Sequence, residues 1–126
     1  MSNYTVKKLD EIPKRDTWIP VRDELGIGAF GVNAYRAEEA GGRVISPHTE
    51  LMAKHEELYV VVEGHATFTV AGDEIDAPTG MCVYISDPTV ERGAVASAAD
   101  TIVLSLGGWT DKAFVPSEWE VASFAE

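Results

Sequence analysis

Cysteine is scarce in this sequence, which contains one, Cys82, among 126 residues. A single cysteine cannot form an internal disulfide, and this fits a reducing compartment. Cys82 lies in the apolar run 81–85. Because free cysteines are commonly buried, we expect a structural thiol rather than a nucleophile. The sequence also lacks a Cys-X-X-Cys pair, a glycine-rich phosphate loop and a Ser-His-Asp pattern.

Basic residues are few as well. Ten lysines and arginines stand against 21 aspartates and glutamates, which gives a formal net charge of −11. Nucleic-acid binding draws most of its affinity from basic side chains at phosphates, and attraction to anionic lipid needs the same charges. We therefore expect no nucleic-acid partner and no membrane partner, and we attribute solubility to the acidic surface.

Long hydrophobic runs are also missing. No apolar stretch approaches the roughly 20 residues that cross a bilayer, and the polar residues 1–14 contain no apolar signal core. We therefore expect a soluble cytoplasmic protein. The length corresponds to one domain, and 45% hydrophobic with 25% charged residues is ordinary globular composition.

The sequence does contain a series of short apolar or alternating runs separated by glycine, proline and aspartate. Closely spaced strands of this kind predict an all-β sandwich or barrel. Run 59–62 is apolar on both faces, so we expect a second sheet to cover one face and a dimer partner or a terminal segment to cover the other. The predicted strands are 30–36, 43–46, 57–63, 65–70, 74–77, 81–85, 90–96 and 101–106.

The two terminal segments differ from the strand region. The apolar spacing within 16–25 predicts one or two helical turns, and Ser117 could cap a short C-terminal helix. The three tryptophans, Trp18, Trp109 and Trp119, lie outside the predicted strands. We expect them to pack the terminal segments onto the sheets, with stacking on a ligand as the alternative.

Two stretches within residues 44–106 resemble the motifs of the cupin superfamily. In the first, Glu57 is followed after an apolar strand by Gly64; in the second, Gly80 opens a strand that leads through a turn to Glu91. The resemblance implies an all-β fold, a single jelly-roll or cupin β-barrel with short helical terminal segments.

The same resemblance implies one cupin-like domain over 1–126. Its barrel core would span about 29–107, with segments 1–28 and 108–126 packed on it. A homodimer is the assembly expected from the resemblance.

Metal-holding cupins present two histidines shortly before the glutamate and a further histidine in the second motif. In this chain only Glu57 stands at a ligand position, and Glu91 replaces the last histidine. Two nearby pairs, His48-X-Glu50 and His55-X-Glu57, offer donors at strand spacing, so that both side chains of a pair face one way.

His48, Glu50, His55, Glu57 and Glu91 are therefore the candidate metal ligands. Imidazole with carboxylate suits a divalent metal such as Mn, Fe, Ni or Zn. The alternative places the histidines in solvated turns and the glutamates on the surface.

Three further side chains bear on the candidate site. Arg92 could pair with a nearby carboxylate and so leave Glu91 outside the site. Tyr59, which shares a face with Glu57, and Tyr84 are the candidate substrate-binding residues. The alternative is that both tyrosines fill the interior of the barrel.

Three functions remain open from the sequence. The first is a metal-dependent enzyme acting on a small metabolite. The second is a metal-free, non-catalytic module that binds or senses a small ligand. The third is a structural protein that self-associates through run 59–62 and the terminal tryptophans. We expect the interior to bind a divalent metal, a small molecule or both, and the sequence leaves open whether the protein is catalytic.

Overall fold

The structure is a computed structural model that describes residues 3–125. Over this range the chain is mostly strand, with a single 3₁₀ turn at Leu9–Glu11 and two short helices. The elements are β1 (Trp18–Ile19), α1 (Val21–Leu25), β2 (Gly31–Ala37), β3 (Arg43–His48), β4 (Glu56–Glu63), β5 (His65–Val70), β6 (Asp73–Pro78), β7 (Cys82–Ile85), β8 (Arg92–Ala96), β9 (Thr101–Gly108) and α2 (Glu118–Ser123).

The strands form two antiparallel sheets of jelly-roll type. The five-stranded sheet has the order β1-β2-β9-β4-β7, and the four-stranded sheet has the order β3-β8-β5-β6. Among residues 3–125 no strand ladder joins the two sheets, so they are not closed into a barrel. The predicted all-β jelly-roll fold is confirmed, whereas its description as a barrel is corrected to an open two-sheet sandwich.

The main core lies between the two sheets. Strand alternation directs Tyr59 and Val61 of the five-stranded sheet towards Phe68 and Val44 of the other, and all four are almost fully buried. The chain passes from β4 to β5 through Gly64, which has a φ of +79°. A Cβ there would lie 2.5 Å from the Thr101 hydroxyl oxygen, so this position of the first motif accepts only glycine.

A second apolar cluster covers part of the outer face of the five-stranded sheet. Ile12, Ile19 and Val21 of the N-terminal segment pack there against Val32 and Ala34 of β2. The terminal segment therefore supplies part of the outer cover expected for this sheet. On β4 the cover is incomplete, since the outward-facing Val62 is 41% exposed.

The two terminal segments also contact each other. The Trp18 ring lies 5.0 Å from that of Trp119 and 5.7 Å from that of Phe124. The Arg22 Nε donates to Glu120 Oε1 over 2.7 Å, and both side chains are largely buried. These contacts hold α2 against α1 and β1.

The short helices fall in the segments where the sequence predicts them. Helix α1 occupies only the second half of 16–25, because the first half pairs as β1 with β2. Helix α2 begins directly after Ser117, although the Ser117 side chain makes no capping hydrogen bond. No helix among the described residues is both long and apolar enough to cross a membrane.

Strand β7 overturns one expectation. Cys82 is exposed rather than buried, because Val83 and Ile85 are the β7 residues that face the core. Both alternating sets of this strand are apolar, so its sequence does not distinguish the inner face from the outer one.

Candidate metal and ligand site

The site lies at one end of the inner face of the five-stranded sheet. Neighbouring strands place their residues there in rows, since register partners on antiparallel strands share a face. Two polar rows occupy this end, and apolar rows continue from them into the core. The polar rows are Gly31, Gly107 and Glu57, followed by Asn33, Ser105 and Tyr59.

The four-stranded sheet contributes His48 from the opposite side. His48 is the last residue of β3, and Glu50 follows in the next turn. The His48 Nε2 lies 2.9 Å from Glu50 Oε2 and 3.9 Å from Glu57 Oε1. One donor atom from each of these three residues lies within 4.8 Å of the other two. The structure thus brings together three of the five predicted ligands.

The orientation of the His48 ring is set by its second nitrogen. His48 Nδ1 lies 2.7 Å from the carbonyl oxygen of Ser46. Nδ1–H donates to that carbonyl, so Nε2 faces the carboxylates: in the protonated ring Nε2–H donates to Glu50, and in the neutral ring Nε2 carries a lone pair that a metal can take up. Metal-bound histidines typically have such a partner for the other nitrogen.

Glu57 is held by three donors. Arg92 Nη1 donates to Glu57 Oε1 over 2.8 Å, and the Tyr59 hydroxyl donates to the same oxygen. The Ser105 hydroxyl donates to Oε2 over 3.3 Å. The side chain of Arg92 is wholly buried, and its other nitrogens donate to the backbone carbonyls of Val90 and Asp87. Glu57 is therefore fixed in one orientation.

His55 lies beside this group. Its Nδ1 is 3.6 Å from Glu50 Oε1, and its ring packs edge-on against Trp109 at 4.3 Å between centroids. His55 Nε2 is buried without a hydrogen-bond partner. The structure thus places His55 next to one oxygen of Glu50, whereas His48 lies next to the other.

The two remaining candidates lie outside the site. Glu91 is exposed ahead of β8, and the next residue, Arg92, takes the place beside Glu57 because it pairs in register with His48. Tyr84 is 58% exposed on the outer face of β7, where its hydroxyl donates to Glu56. Tyr59 does face the site.

The electrostatics of the site follow from its half-buried carboxylates, Glu50 and Glu57. The hydrogen bond to Glu50 raises the pKa of His48 above that of a free histidine, in spite of partial burial. Burial raises the pKa of Tyr35 and Tyr59 well above that of a free tyrosine, and the charge of Glu57 raises it further. Both phenols are therefore neutral hydrogen-bond donors at neutral pH.

A pocket of about 990 Å³ opens over these residues. The polar rows and His48 form its floor, and the C-terminal segment forms one wall with Phe114, Trp119 and Glu120. The absence of a side chain at Gly31 makes room for Phe114, whose ring would lie 2.9 Å from a Cβ there. The sequence indicates no role for this segment in the site, beyond the alternative of ligand stacking by tryptophan.

Several solved structures share this arrangement of strands. A cupin protein from Bacteroides fragilis is 21% identical and aligns over 93% of each chain with a TM-score of 0.68. This chain has the cupin fold. No protein-family model and no curated protein matches the sequence.

Two further cupin-fold structures carry functional names. A sugar phosphate isomerase of the cupin superfamily from Silicibacter pomeroyi is 23% identical over 75% of this chain and 61% of its own, with a TM-score of 0.59. A predicted oxalate decarboxylase from Thermotoga maritima is 15% identical over 68% and 71%, with a TM-score of 0.55. At these identities the likeness shows the fold alone.

The donor set is compatible with a divalent metal. One imidazole nitrogen and two carboxylates are ligand types used by Mn, Fe and Zn sites, and three protein ligands leave coordination positions for water or substrate. The Ser46 carbonyl at His48 Nδ1 completes the outer contact that such a ligand needs.

Proposed function

We propose that this cupin-fold protein binds a divalent metal through His48, Glu50 and Glu57 and takes a small molecule into the adjoining pocket. The observation that supports it is the convergence of three donor atoms within 4.8 Å, with His48 Nε2 turned towards both carboxylates. A bound metal would supply a Lewis acid that polarises an oxygen of the small molecule.

The protein's own groups would position that molecule. Arg92, Tyr59 and Ser105 hold Glu57 in one orientation, so this ligand needs little rearrangement on binding. The walls of the pocket cover one side of the site and would restrict the access of bulk water to a bound molecule. Two cupin-fold structures bear the names of an isomerase and a predicted decarboxylase, and a metal-dependent reaction of a small metabolite is the enzymatic form of our proposal.

Metal analysis of matched variants tests the proposal. The parent protein, His48→Ala and Glu50→Gln are loaded separately with Mn²⁺ and Zn²⁺, desalted and analysed by mass spectrometry. We expect close to one metal per chain in the parent and far less in either variant, since removal of one ligand weakens the affinity for metal by more than about tenfold.

His65→Ala is the matched control, because His65 pairs with Asp76 away from the site. It should retain the metal content of the parent. If His48→Ala retains as much metal as His65→Ala, the proposed site is wrong.

A metal-free binding module is the second candidate function, and the charges of the site favour it independently. Without a metal, Arg92 is the cationic partner of Glu57, and a protonated His48 is that of Glu50. Ligand binding that persists at full affinity after dialysis against EDTA would support this second function over the first.

A further inference from the structure

The pocket contains a buried polar atom that the metal group does not use. Asn33 is 9% exposed, and its Oδ1 has no hydrogen-bond partner. It lies on the inner face of β2 in the row of Ser105 and Tyr59, and it lines the pocket. A buried acceptor without a partner is costly to the fold, so a native one indicates a position completed by another molecule.

The charged side chains that line the pocket are mostly acidic. Within residues 3–125 its lining contains the carboxylates of Glu50, Glu57, Glu118 and Glu120 and no lysine or arginine. The nearby guanidinium groups already bind carboxylates, Arg92 that of Glu57 and Arg22 that of Glu120. The protonated imidazole of His48, which also lines the pocket, is likewise paired with Glu50. An anionic ligand would therefore meet negative charge without an unpaired cation to bind.

Apolar surface lies next to these polar atoms. The aromatic rings of Tyr35, Trp109, Phe114 and Trp119 line the same pocket. Ligand pockets typically combine such apolar walls with a few polar groups that set the orientation of the ligand.

We infer that the pocket selects an uncharged or cationic molecule with an apolar body and a hydroxyl or amine, whose hydrogen is donated to Asn33 Oδ1. Phosphorylated and carboxylate ligands are disfavoured by the protein's own groups. This inference rests on the pocket of the proposed function but not on its metal, since Asn33 lies outside the His48–Glu50–Glu57 group.

Three probes of one shape and different charge test the inference. Binding of benzyl alcohol, benzylamine and benzoate is measured by titration NMR on the EDTA-dialysed full chain at pH 7. We expect the alcohol and the amine to bind at least about tenfold more tightly than benzoate, because benzoate brings a further negative charge next to the carboxylates of the pocket and has no hydrogen to donate to Asn33 Oδ1. Equal or tighter binding of benzoate, or no binding of any probe, would overturn the inference.

Two variants assign the effect to Asn33. Asn33→Ala should weaken the binding of benzyl alcohol by about tenfold. Asn3→Ala, at an exposed asparagine, should leave the affinity for benzyl alcohol unchanged. Asn33→Asp adds a carboxylate and should increase the preference for benzylamine over benzyl alcohol. Identical affinities in Asn33→Ala and Asn3→Ala would overturn the assignment, with circular dichroism confirming that each variant is folded.

Metal analysis of the same preparations separates the two proposals. A protein that takes up no Mn²⁺ or Zn²⁺ yet prefers benzylamine contradicts the metal site and supports the present inference. A protein that takes up metal but prefers benzoate after EDTA treatment contradicts only the present inference.

Discussion

At the scale of single residues, the site is organised around Glu57. Its carboxylate lies within reach of His48 and accepts hydrogen bonds from Arg92, Tyr59 and Ser105. Arg92 is the member that the sequence motif does not assign. A guanidinium group can serve several acceptors at fixed angles, and here it joins the carboxylate to two backbone carbonyls.

Replacement of Arg92 should therefore destabilise the folded protein strongly. Removal of one partner from a buried ion pair costs about 3–5 kcal/mol, because the remaining charge stays buried without compensation. We expect Arg92→Ala to lower the free energy of unfolding by about this amount in urea denaturation at pH 7. Arg92→Lys should recover part of the loss, and a change below about 1 kcal/mol in Arg92→Ala would contradict the structural role of the pair.

The contribution of Asp87 to the stability of the folded protein depends on pH. Its carboxylate accepts hydrogen bonds from the backbone N–H and the hydroxyl of Thr89, and these bonds hold the pKa of Asp87 below its ordinary value. Because the pKa of Asp87 is lower in the folded protein than in the unfolded chain, the carboxylate stabilises the fold at pH values above its unfolded-state pKa. This stabilisation is lost as the pH falls through the pKa of the folded state.

Asp87→Ala should accordingly destabilise the protein at pH 7. Its difference from the parent in urea denaturation should shrink as the pH falls from about 4 towards 2. Asp111→Ala serves as the control at another exposed aspartate. The hydrogen-bonding account fails if the difference for Asp87→Ala is as large at pH 2.5 as at pH 7.

At the scale of secondary-structure elements, the C-terminal segment is a wall of the pocket and not merely a tail. Helix α2 is too short to be stable alone. It is held by the ring contacts of Trp119 and Phe124 with Trp18 and by the ion pair of Glu120 with Arg22. The position of the wall therefore depends on the N-terminal segment.

Two glutamates of α2 offer a matched comparison. Glu120→Ala should lower the free energy of unfolding by about 2–4 kcal/mol, because Arg22 stays largely buried without its carboxylate. Glu118→Ala, at an exposed position two residues earlier, should change it by less than about 0.5 kcal/mol. Both values come from urea denaturation, and equal effects would show that the ion pair does not hold α2.

At the scale of the whole molecule, the net charge of −11 adds to the negative pocket. Acidic clefts attract cations over distances that salt shortens, from about 10 Å at 0.1 M to about 3 Å at 1 M.

The homodimer stays a prediction at this scale. The exposed outer-face residues Val62, Cys82 and Tyr84 are where a partner copy would be sought.

The affinity for the charged probe should therefore depend on salt, and that for the neutral probe should not. We expect benzylamine to bind several-fold more weakly when NaCl is raised from 0.02 to 0.5 M, because screening removes its attraction to the acidic protein. Benzyl alcohol should bind with nearly constant affinity over the same range. A salt response of the same size for both probes, measured by titration NMR, would show that charge does not contribute.

The sequence by itself determined the strand pattern and the local pairs. Alternation with a period of two places Glu57 and Tyr59 on one face. His48 and Glu50 also meet, although Glu50 lies beyond the end of β3, so the turn rather than strand alternation brings their side chains together. The glycine of the first motif is likewise explained locally, by the close approach of Thr101 to Gly64.

Only the tertiary structure decided which face of β7 is inside, which residue after the second motif's turn reaches Glu57, and what closes the pocket. In β7 both alternating faces are apolar, so periodicity shows which residues share a face but not which face is buried. Arg92 rather than Glu91 enters the site because β8 pairs with β3 in one particular register. The C-terminal wall depends on contacts between residues about one hundred positions apart, and no local pattern encodes such contacts.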